Sequence, residues 1–433
     1  MKKNGFIMST YVYILLVFFL LLLGTMLVVL NNTRLLANKI KENTDGNIDF
    51  NLVLKGDKEI FIVKDSEYIE PGCIATTFDG EKLEVRVMGE VNAKKSGEYD
   101  IEYSAEYKGV EKKVKRKVIV GENLVTYITN LYEDSITRAS NNLKKDNTED
   151  KNIRYYGANP NNYVRFNNEL WRIIGIFGNN VKLIRNDRLG WLSWDTSEST
   201  VNSGYGINQW GESKDTSGNI YEGADLQVYL NKMYYGGDTT ITCYGSANNG
   251  TKTCPTGTID ETSKALIDSH IWNTGAVNWN DVYNSTTSSY DTVEFYKAER
   301  GSVNGKICTS GDWCNDTVTR TTEWTGYIAL PYITDYAYAS SENDCNTKMV
   351  QSPTYKCKNN NWMQRSTWAW YLSPYAVAAG AFDVWDVNSN GSVSNGTAAN
   401  SNAVAPSIYL KSNVLIESGT GTSSNPYILK LGN

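Results

Sequence analysis

Residues Tyr11 to Leu30 read YVYILLVFFLLLLGTMLVVL and carry no charge. As an α-helix, at about 1.5 Å per residue, this run spans roughly 30 Å, the hydrocarbon thickness of a bilayer. A soluble core helix of that length keeps a polar stripe, and this run has none. Residues 11–30 are therefore expected to form a transmembrane helix in contact with the lipid bilayer. Residues 1–10 then form a cytoplasmic N-terminus and residues 31–47 a stalk, with Leu35, Leu36 and Ile40 at helical spacing. A secretory signal peptide has a shorter apolar region and a small-residue cleavage site. Here the run is long, and Leu35-Leu36-Ala37-Asn38 is a poor cleavage site. An uncleaved signal anchor is favoured over a removed leader. Charge leaves the orientation open, because Lys2 and Lys3 precede the run while Arg34, Lys39 and Lys41 follow it.

The remaining chain is polar on average. Its 433 residues carry a net charge of -6, and no basic patch stands out. The run Lys112 to Lys117 partly alternates with valine and reads as the solvated face of one strand. Nucleic-acid binding is not expected. The abundance of Tyr, Trp, Asn, Ser, Thr and Gly suits β-rich extracellular domains with long polar loops. His270 is the one histidine, so a Ser-His-Asp site or a multi-histidine zinc site has little to build on. A helix-surface or loop position is the plain reading of it.

Residues 48–121 read as strands. Phe61–Val63, Leu83–Val87, Tyr99–Tyr103 and Val114–Val120 alternate or cluster apolar residues between Gly, Asp and Lys. Four short strands in so few residues predict an all-β sandwich. A sharper pattern lies within them. Tyr68-Ile-Glu-Pro71-Gly72-Cys73 precedes Asp79-Gly80, then Val91, Gly97, Tyr99, Ile101 and Tyr103, ending in Val118-Ile-Val120. This order resembles the bacterial Ig-like domain of pesticidal crystal proteins and Gram-positive surface proteins. Cys73 stands where that family usually has a small residue, and reads as a buried free thiol acting as a small hydrophobe.

Over residues 122–152 the period changes. Leu124, Ile128, Leu131, Tyr132, Ile136 and Leu143 favour one helical face, and Asp134 and Arg138 are spaced to pair. A connecting helix is expected, ending in a charged linker from Lys144 to Asn152.

Residues 153–433 form the large C-terminal unit, expected to be an α+β domain. It opens with Tyr163–Phe166, the turn Asn167-Asn168, Leu170–Phe177 and Val181–Arg185, a three-stranded meander. Helices are expected over Ala224–Asn231 and Thr262–Ile271, the second capped by Asp260 or Thr262. Strands return at Trp368–Leu372, Ala381–Val387 and Val404–Leu410. The segments NNYVRFNNELWRIIGIF, WTGYIALPYITDYAYASS, DVNSNGSV and VAPSIYLKSNVLI resemble a family of uncharacterised Firmicutes surface proteins. Several are also similar to C-type-lectin-like and sulfatase-modifying folds, in which late strands return beside the first ones. The resemblance implies a C-type-lectin-like fold and an extracellular compartment, and names no reaction. The N-terminal Lys2-Lys3-Asn4-Gly5 before Phe6 resembles the type IV prepilin leader, although Thr10 stands where that family usually has Glu.

Six cysteines fall into local pairs: Cys243 with Cys254, Cys308 with Cys314, and Cys345 with Cys357. Each pair sits in a polar loop with little core of its own. No CxxC and no nearby histidine suggests a metal, so disulfides are favoured over metal binding. Asp386-Val-Asn388-Ser-Asn390-Gly391 imitates the start of a calcium loop, but Thr397 occupies the position of the closing acid, and a hairpin turn is the better reading. Trp191, Trp194, Trp210, Trp279, Trp313 and Trp324 lie in or beside polar segments. They fit either a sugar-stacking surface or loop packing, and loop packing is preferred. The carboxylates are scattered and no phosphate loop is present. No catalytic residue, metal ligand or cofactor is assigned.

The function expected is a membrane-anchored extracellular surface protein, a non-catalytic adhesion module for a glycan or protein ligand. An extracellular polymer-acting enzyme and a pilin-like subunit are the alternatives. After carbonate extraction the full chain should stay with the membrane pellet, and a chain starting at Asn47 should stay in the supernatant. Release of the full chain by carbonate would overturn the anchor.

Overall fold

The hairpin β6 (Gly97–Tyr107) and β7 (Val110–Asn123) turns through Lys108 and Gly109, whose φ angles are +48° and +84°. Two positive φ values define the tight turn that matches strand twist, and glycine takes the second without penalty. In this computed structural model β5 (Arg86–Met88) pairs with β6, while β1 (Phe50–Leu54), β3 (Cys73–Thr77) and β4 (Lys82–Leu83) form a second small sheet. The strand β2 (Glu59–Val63) pairs with β7. Phe50, Ala75 and Ala105 are buried between the sheets, with Leu52, Leu83, Val85, Tyr107 and Val110 packed on them. These are the inward positions of period-two strands, so the first unit is a β-sandwich.

The structure describes residues 49–196, 208–214, 220–303, 306–307, 321–346, 348–350, 358–376 and 382–432, with Phe19, Leu23 and Met26. Those three are helical and exposed. The rest of the 11–30 run, the leader-like segment at residues 2–10 and the stalk lie outside the described residues. Among the described residues no helix is long and apolar enough to cross a membrane. Two compact units emerge, divided at Val120 and Gly121, with Phe61–Asp65 assigned to the second.

One expectation for the first unit fails. The Lys112–Lys117 face is not wholly solvated, because Arg116 is completely buried. It falls on the same side of β7 as Val114 and Val118, the inward side. Its Nε donates to the Asp57 carbonyl at 2.9 Å, and its other nitrogens reach the Lys55 carbonyl and the Glu70 carboxylate. The guanidinium is buried because local acceptors satisfy it.

The second unit starts with the helices Leu124–Glu133 and Ser135–Ser140. The expected single helix breaks at Asp134. Its carboxylate caps the second helix, accepting from Ile136 N at 3.0 Å and Thr137 N at 2.8 Å, instead of pairing with Arg138. Capping satisfies two orphan amides, which an exposed ion pair would leave open. Residues 144–152, expected to be a linker, instead join β8 (Leu143–Lys145) to β9 (Ile153–Tyr155) as an antiparallel hairpin.

The meander is as expected. β10 (Tyr163–Phe166), β11 (Glu169–Phe177) and β12 (Asn180–Arg185) are antiparallel neighbours. Asn167 and Asn168 turn with φ of +53° and +56°. Strand Ser407–Tyr409 pairs with β12, and Tyr427–Leu431 runs parallel to β10. A second sheet orders β13 (Gly190–Leu192), Asn402–Val404, Ala369–Ala376, Asp383–Val387 and Val393–Thr397. The chain crosses from one sheet to the other between β12 and β13, and back again at Ala405-Pro406. The two crossings lie side by side, with Leu189 N bonded to Val404 O at 2.7 Å and Arg185 N to Pro406 O at 2.9 Å.

The two helix expectations hold in part. Asp225–Val228 is α-helical and continues as a π-helix over Tyr229–Tyr235. Asp260 caps Glu261–Leu266 by accepting from Ser263 N, but the chain then becomes the strand His270–Asn273.

A charged group lies at the centre. Arg154 on β9 bonds Asp146 at 2.9 Å and Asp335 at 2.5 Å, and Lys182 on β12 bonds Asp335 at 2.6 Å. All four side chains are essentially inaccessible. Gly175 permits this approach, because a Cβ there would lie 2.2 Å from the Ile153 carbonyl oxygen. Burial raises the Asp335 carboxyl, but Lys182 and Arg154 outweigh burial and hold it below its usual range. Its contribution to stability is thus present above the ordinary carboxylate pKa of about 4 and is lost as pH falls through the folded value. Asp335→Asn should cost about 3–5 kcal/mol at neutral pH, because buried Lys182 loses its charged partner and Arg154 loses one of two. Urea unfolding at pH 7 and melts across the acid range should show this loss with a flatter acid limb. A loss under about 1 kcal/mol would overturn the role of the group.

Candidate functional site

The sheet crossing that follows β12 builds a cleft of about 310 Å³, lined by Arg172, Asn186, Asp187, Arg188, Trp362, Gln364 and Arg365. Asp187 and Arg188 are exposed, so the cleft reaches the surface. Arg172 comes from β11, on the face opposite Trp171 and Ile173. Its guanidinium lies between two rings, 4.1 Å from the centroid of Tyr163 and 4.5 Å from that of Trp362. Nε donates to Asn162 Oδ1 at 2.8 Å and Nη2 to the Pro160 carbonyl at 3.3 Å. Arg365 is anchored to the crossing itself. Its Nη1 donates to the Asn186 carbonyl, and Nη2 to the Arg185 carbonyl at 2.8 Å. Arg188 leans over the Trp191 ring at 5.2 Å. Gln364 Nε2 bonds the Ser389 carbonyl at 3.1 Å, and Trp362 Nε1 the Tyr155 carbonyl at 2.9 Å.

The electrostatics are one-sided. Arg185 next door is neutralised by Glu169 through bonds of 2.7 Å and 2.9 Å. Among the described residues, Arg172 and Arg365 have no carboxylate at ion-pair distance and bond only neutral oxygens. Burial lowers the pKa of Arg172 to about 10, and the nearby Arg365 pushes it the same way. Burial also lowers that of Arg365; Tyr371 and Asp187 oppose the shift, while Arg188 and Arg185 add to it. Arginine remains protonated at neutral pH even so.

Other perturbed groups are structural. Burial raises the Glu299 carboxyl to about 7, yet the side chain is fully enclosed by Thr334 and Ser373. His270 is on a strand, stacked 3.6 Å from Tyr409, with Nδ1 3.2 Å from Asp268. Burial lowers its pKa although Asp268 opposes this. Among the described residues no hydroxyl or thiol bonds the ring, so no nucleophilic triad forms around it.

The sequence-stated candidates disperse. Cys243 and Cys254 form a disulfide with Cα atoms 5.1 Å apart, across the hairpin of Cys243–Ser246 and Gly250–Lys252. Cys345 is also oxidised, while Cys308, Cys314 and Cys357 lie outside the described residues. Cys73 is a free thiol, half-buried rather than buried, and donates to the Val53 carbonyl at 3.2 Å. Trp194 and Trp210 are fully buried and pack in the core as tilted rings with centroids 5.3 Å apart, so neither can face a sugar. Trp191 keeps 36% of its surface exposed, Trp279 and Trp324 are half-buried, and Trp313 lies outside the described residues. Asp386 turns inward to Asn402 at 3.2 Å, and Asn388 Oδ1 closes the hairpin by accepting from Asn390 N and Ser392 N. Among the described residues no His, Cys, Asp or Glu cluster could hold a metal ion. The arginine cleft was missed by sequence reading. The one available signal was Asn186-Asp187-Arg188 directly after a buried strand.

Residues 52–120 match the family model for the bacterial surface protein Ig-like domain. The chain therefore carries a surface Ig-like domain in its first unit. Among solved structures, a lipoprotein from Bacteroides thetaiotaomicron is similar at 31% identity, over 17% of this chain and 39% of that one, with a TM-score of 0.17. The CBM51-2 and INT domains of Clostridium perfringens ZmpB, in complex with GlcNAc, align at 13% identity over 40% of this chain and 37% of that one, with a TM-score of 0.15. The chain thus spans well under half of either structure, and scores this low do not establish a shared fold. No curated protein matches the chain.

A non-reducing digest should yield Cys243 linked to Cys254, and Cys73 should alkylate only slowly before denaturation. Recovery of Cys243 and Cys254 as free thiols would overturn the hairpin cross-link. Closing a loop of this length removes unfolded-state entropy worth on the order of 3 kcal/mol, so reduction should lower the melting temperature.

Proposed function

We propose that this chain is a membrane-anchored bacterial cell-surface protein whose C-terminal unit binds a ligand and does not transform it. The observation that carries this reading is the surface Ig-like match at residues 52–120. The uncharged run at residues 11–30 supports a single-pass anchor, with the Ig-like sandwich as a spacer and the bulk of the chain outside. The oxidised cysteines fit that compartment. Local disulfides Cys308–Cys314 and Cys345–Cys357 belong to the same reading.

The C-terminal unit is read as C-type-lectin-like. Its late strand Ser407–Tyr409 lies beside β12, and its last strand Tyr427–Leu431 beside β10, which is the return that the resemblance implies. A binding role is favoured over catalysis because the carboxylates with strongly raised pKa, Glu299 and Asp386, are enclosed in the protein. The open cleft instead offers hydrogen-bond donors and amides, the groups that hold a polar ligand such as a glycan.

Protease added to intact cells should remove the bulk of the chain, and the full-length protein in detergent should retain a defined set of glycans on an array. Complete protection in intact cells would refute the surface reading. Turnover of an extracellular polymer by the purified chain would refute the non-catalytic one.

A further inference from the structure

The cleft has an excess of positive charge that the described protein does not balance. Three guanidiniums, from Arg172, Arg188 and Arg365, face one carboxylate, Asp187. Asp187 itself takes a hydrogen bond from Asn186 at 3.0 Å. Arg172 keeps only 6% of its surface exposed. A desolvated cation is costly unless a charged or strongly polar partner compensates it. Three other arginines follow this rule with acids: Arg154 has Asp146 and Asp335, Arg185 has Glu169, and Arg116 has Glu70. The cleft departs from it.

The donors are also held in place. Arg172 is clamped between Tyr163 and Trp362 and fixed by Asn162 and Pro160. Arg365 is fixed by two carbonyls of the crossing loop. These bonds use Nε and Nη2 of Arg172 and both Nη atoms of Arg365. They leave Arg172 Nη1, Arg365 Nε and the whole Arg188 fork uncommitted among the described residues. Pre-fixed guanidinium donors match the planar or tetrahedral oxygens of an oxyanion, and fixing them in advance lowers the entropy lost on binding.

Resting on the ligand-binding reading above, we propose that this cleft is the binding site for an anionic sugar, whose carboxylate, sulfate or phosphate group is held by Arg172, Arg188 and Arg365. Asn186, Asp187 and Gln364 supply the polar groups that take ring hydroxyls. The lining favours a sugar over an acidic peptide, since its one apolar member, Trp362, is 7% exposed and already covered by Arg172. A peptide side chain finds no apolar subsite there. A neutral sugar leaves the guanidiniums uncompensated.

The test is calorimetric titration of the full-length chain in detergent with glucuronate, glucose 6-sulfate, glucose 6-phosphate, glucose, acetate and inorganic sulfate, at low and high salt. At least one charged sugar should bind, more weakly as salt rises, with glucose and the bare anions at least about tenfold weaker. Arg188→Ala removes an exposed side chain, so it should weaken binding severalfold with an unchanged melting temperature. Arg365→Gln should abolish binding. Equal binding of glucose, equal binding of acetate or sulfate, or charged-sugar affinity unchanged in both variants would overturn the proposal. If array binding of glycans persists in both variants while charged sugars fail to bind, this inference falls and the surface-binding reading stands. If a charged sugar binds the cleft but no arrayed glycan is retained, the inference stands and only the array prediction fails.

Discussion

The second unit depends on one buried electrostatic group. Asp335 sits at the start of the helix Ile333–Tyr338 and accepts from Arg154 and Lys182 together, while Arg154 also holds Asp146. The four charges cancel, and they join β9, β12, the hairpin loop and a helix that are separated in sequence. Burying such groups costs several kcal/mol each, and only near-complete pairing recovers that cost. An apolar cluster tolerates sliding, whereas this one has a single arrangement. It thereby fixes how β9 crosses β11 and where the helix lies.

That registration places the cleft. The Asp335 carboxylate also bonds Tyr332 N at 2.9 Å, closing the first turn of its helix. Tyr336 of the same helix bonds the Gly391 carbonyl and the Asn361 side chain through its own carbonyl, holding the segment that carries Trp362, Gln364 and Arg365. Trp362 in turn is tied to Tyr155, the residue after Arg154. The route from the buried charges to the cleft is a short chain of hydrogen bonds. The cleft is built on strand ends and a crossing loop anchored at both sides, which suits a site that recognises shape and charge.

The same residue type does three different jobs in this chain. Arg116 and Arg154 are buried and paired with acids, and Arg185 is half-buried and paired. Arg172 and Arg365 hydrogen-bond only neutral oxygens. In a string of letters all five are simply basic. Strand alternation could have placed Arg116 inward with Val114 and Val118, and the basic run around it hid that pattern. The buried tryptophans mislead in the same way. Trp194 and Trp210 sit among polar neighbours in sequence, yet local polarity reports the adjacent loop positions and not the core beneath.

What the sequence determined is local. The turn at Asn167-Asn168, the three-stranded meander, the Asp260 cap and the Ig-like order of landmarks all follow from residues within a few positions of one another. Turn chemistry and period-two burial act over that range, so they are legible from one chain. What tertiary structure decided is which distant groups meet. Arg172 and Arg365 come from distant segments of the second unit, and Asp134 ends one helix and caps the next instead of pairing with Arg138. Whether a charge is paired, buried or left to a ligand depends on partners supplied by remote segments, and no local pattern encodes those partners.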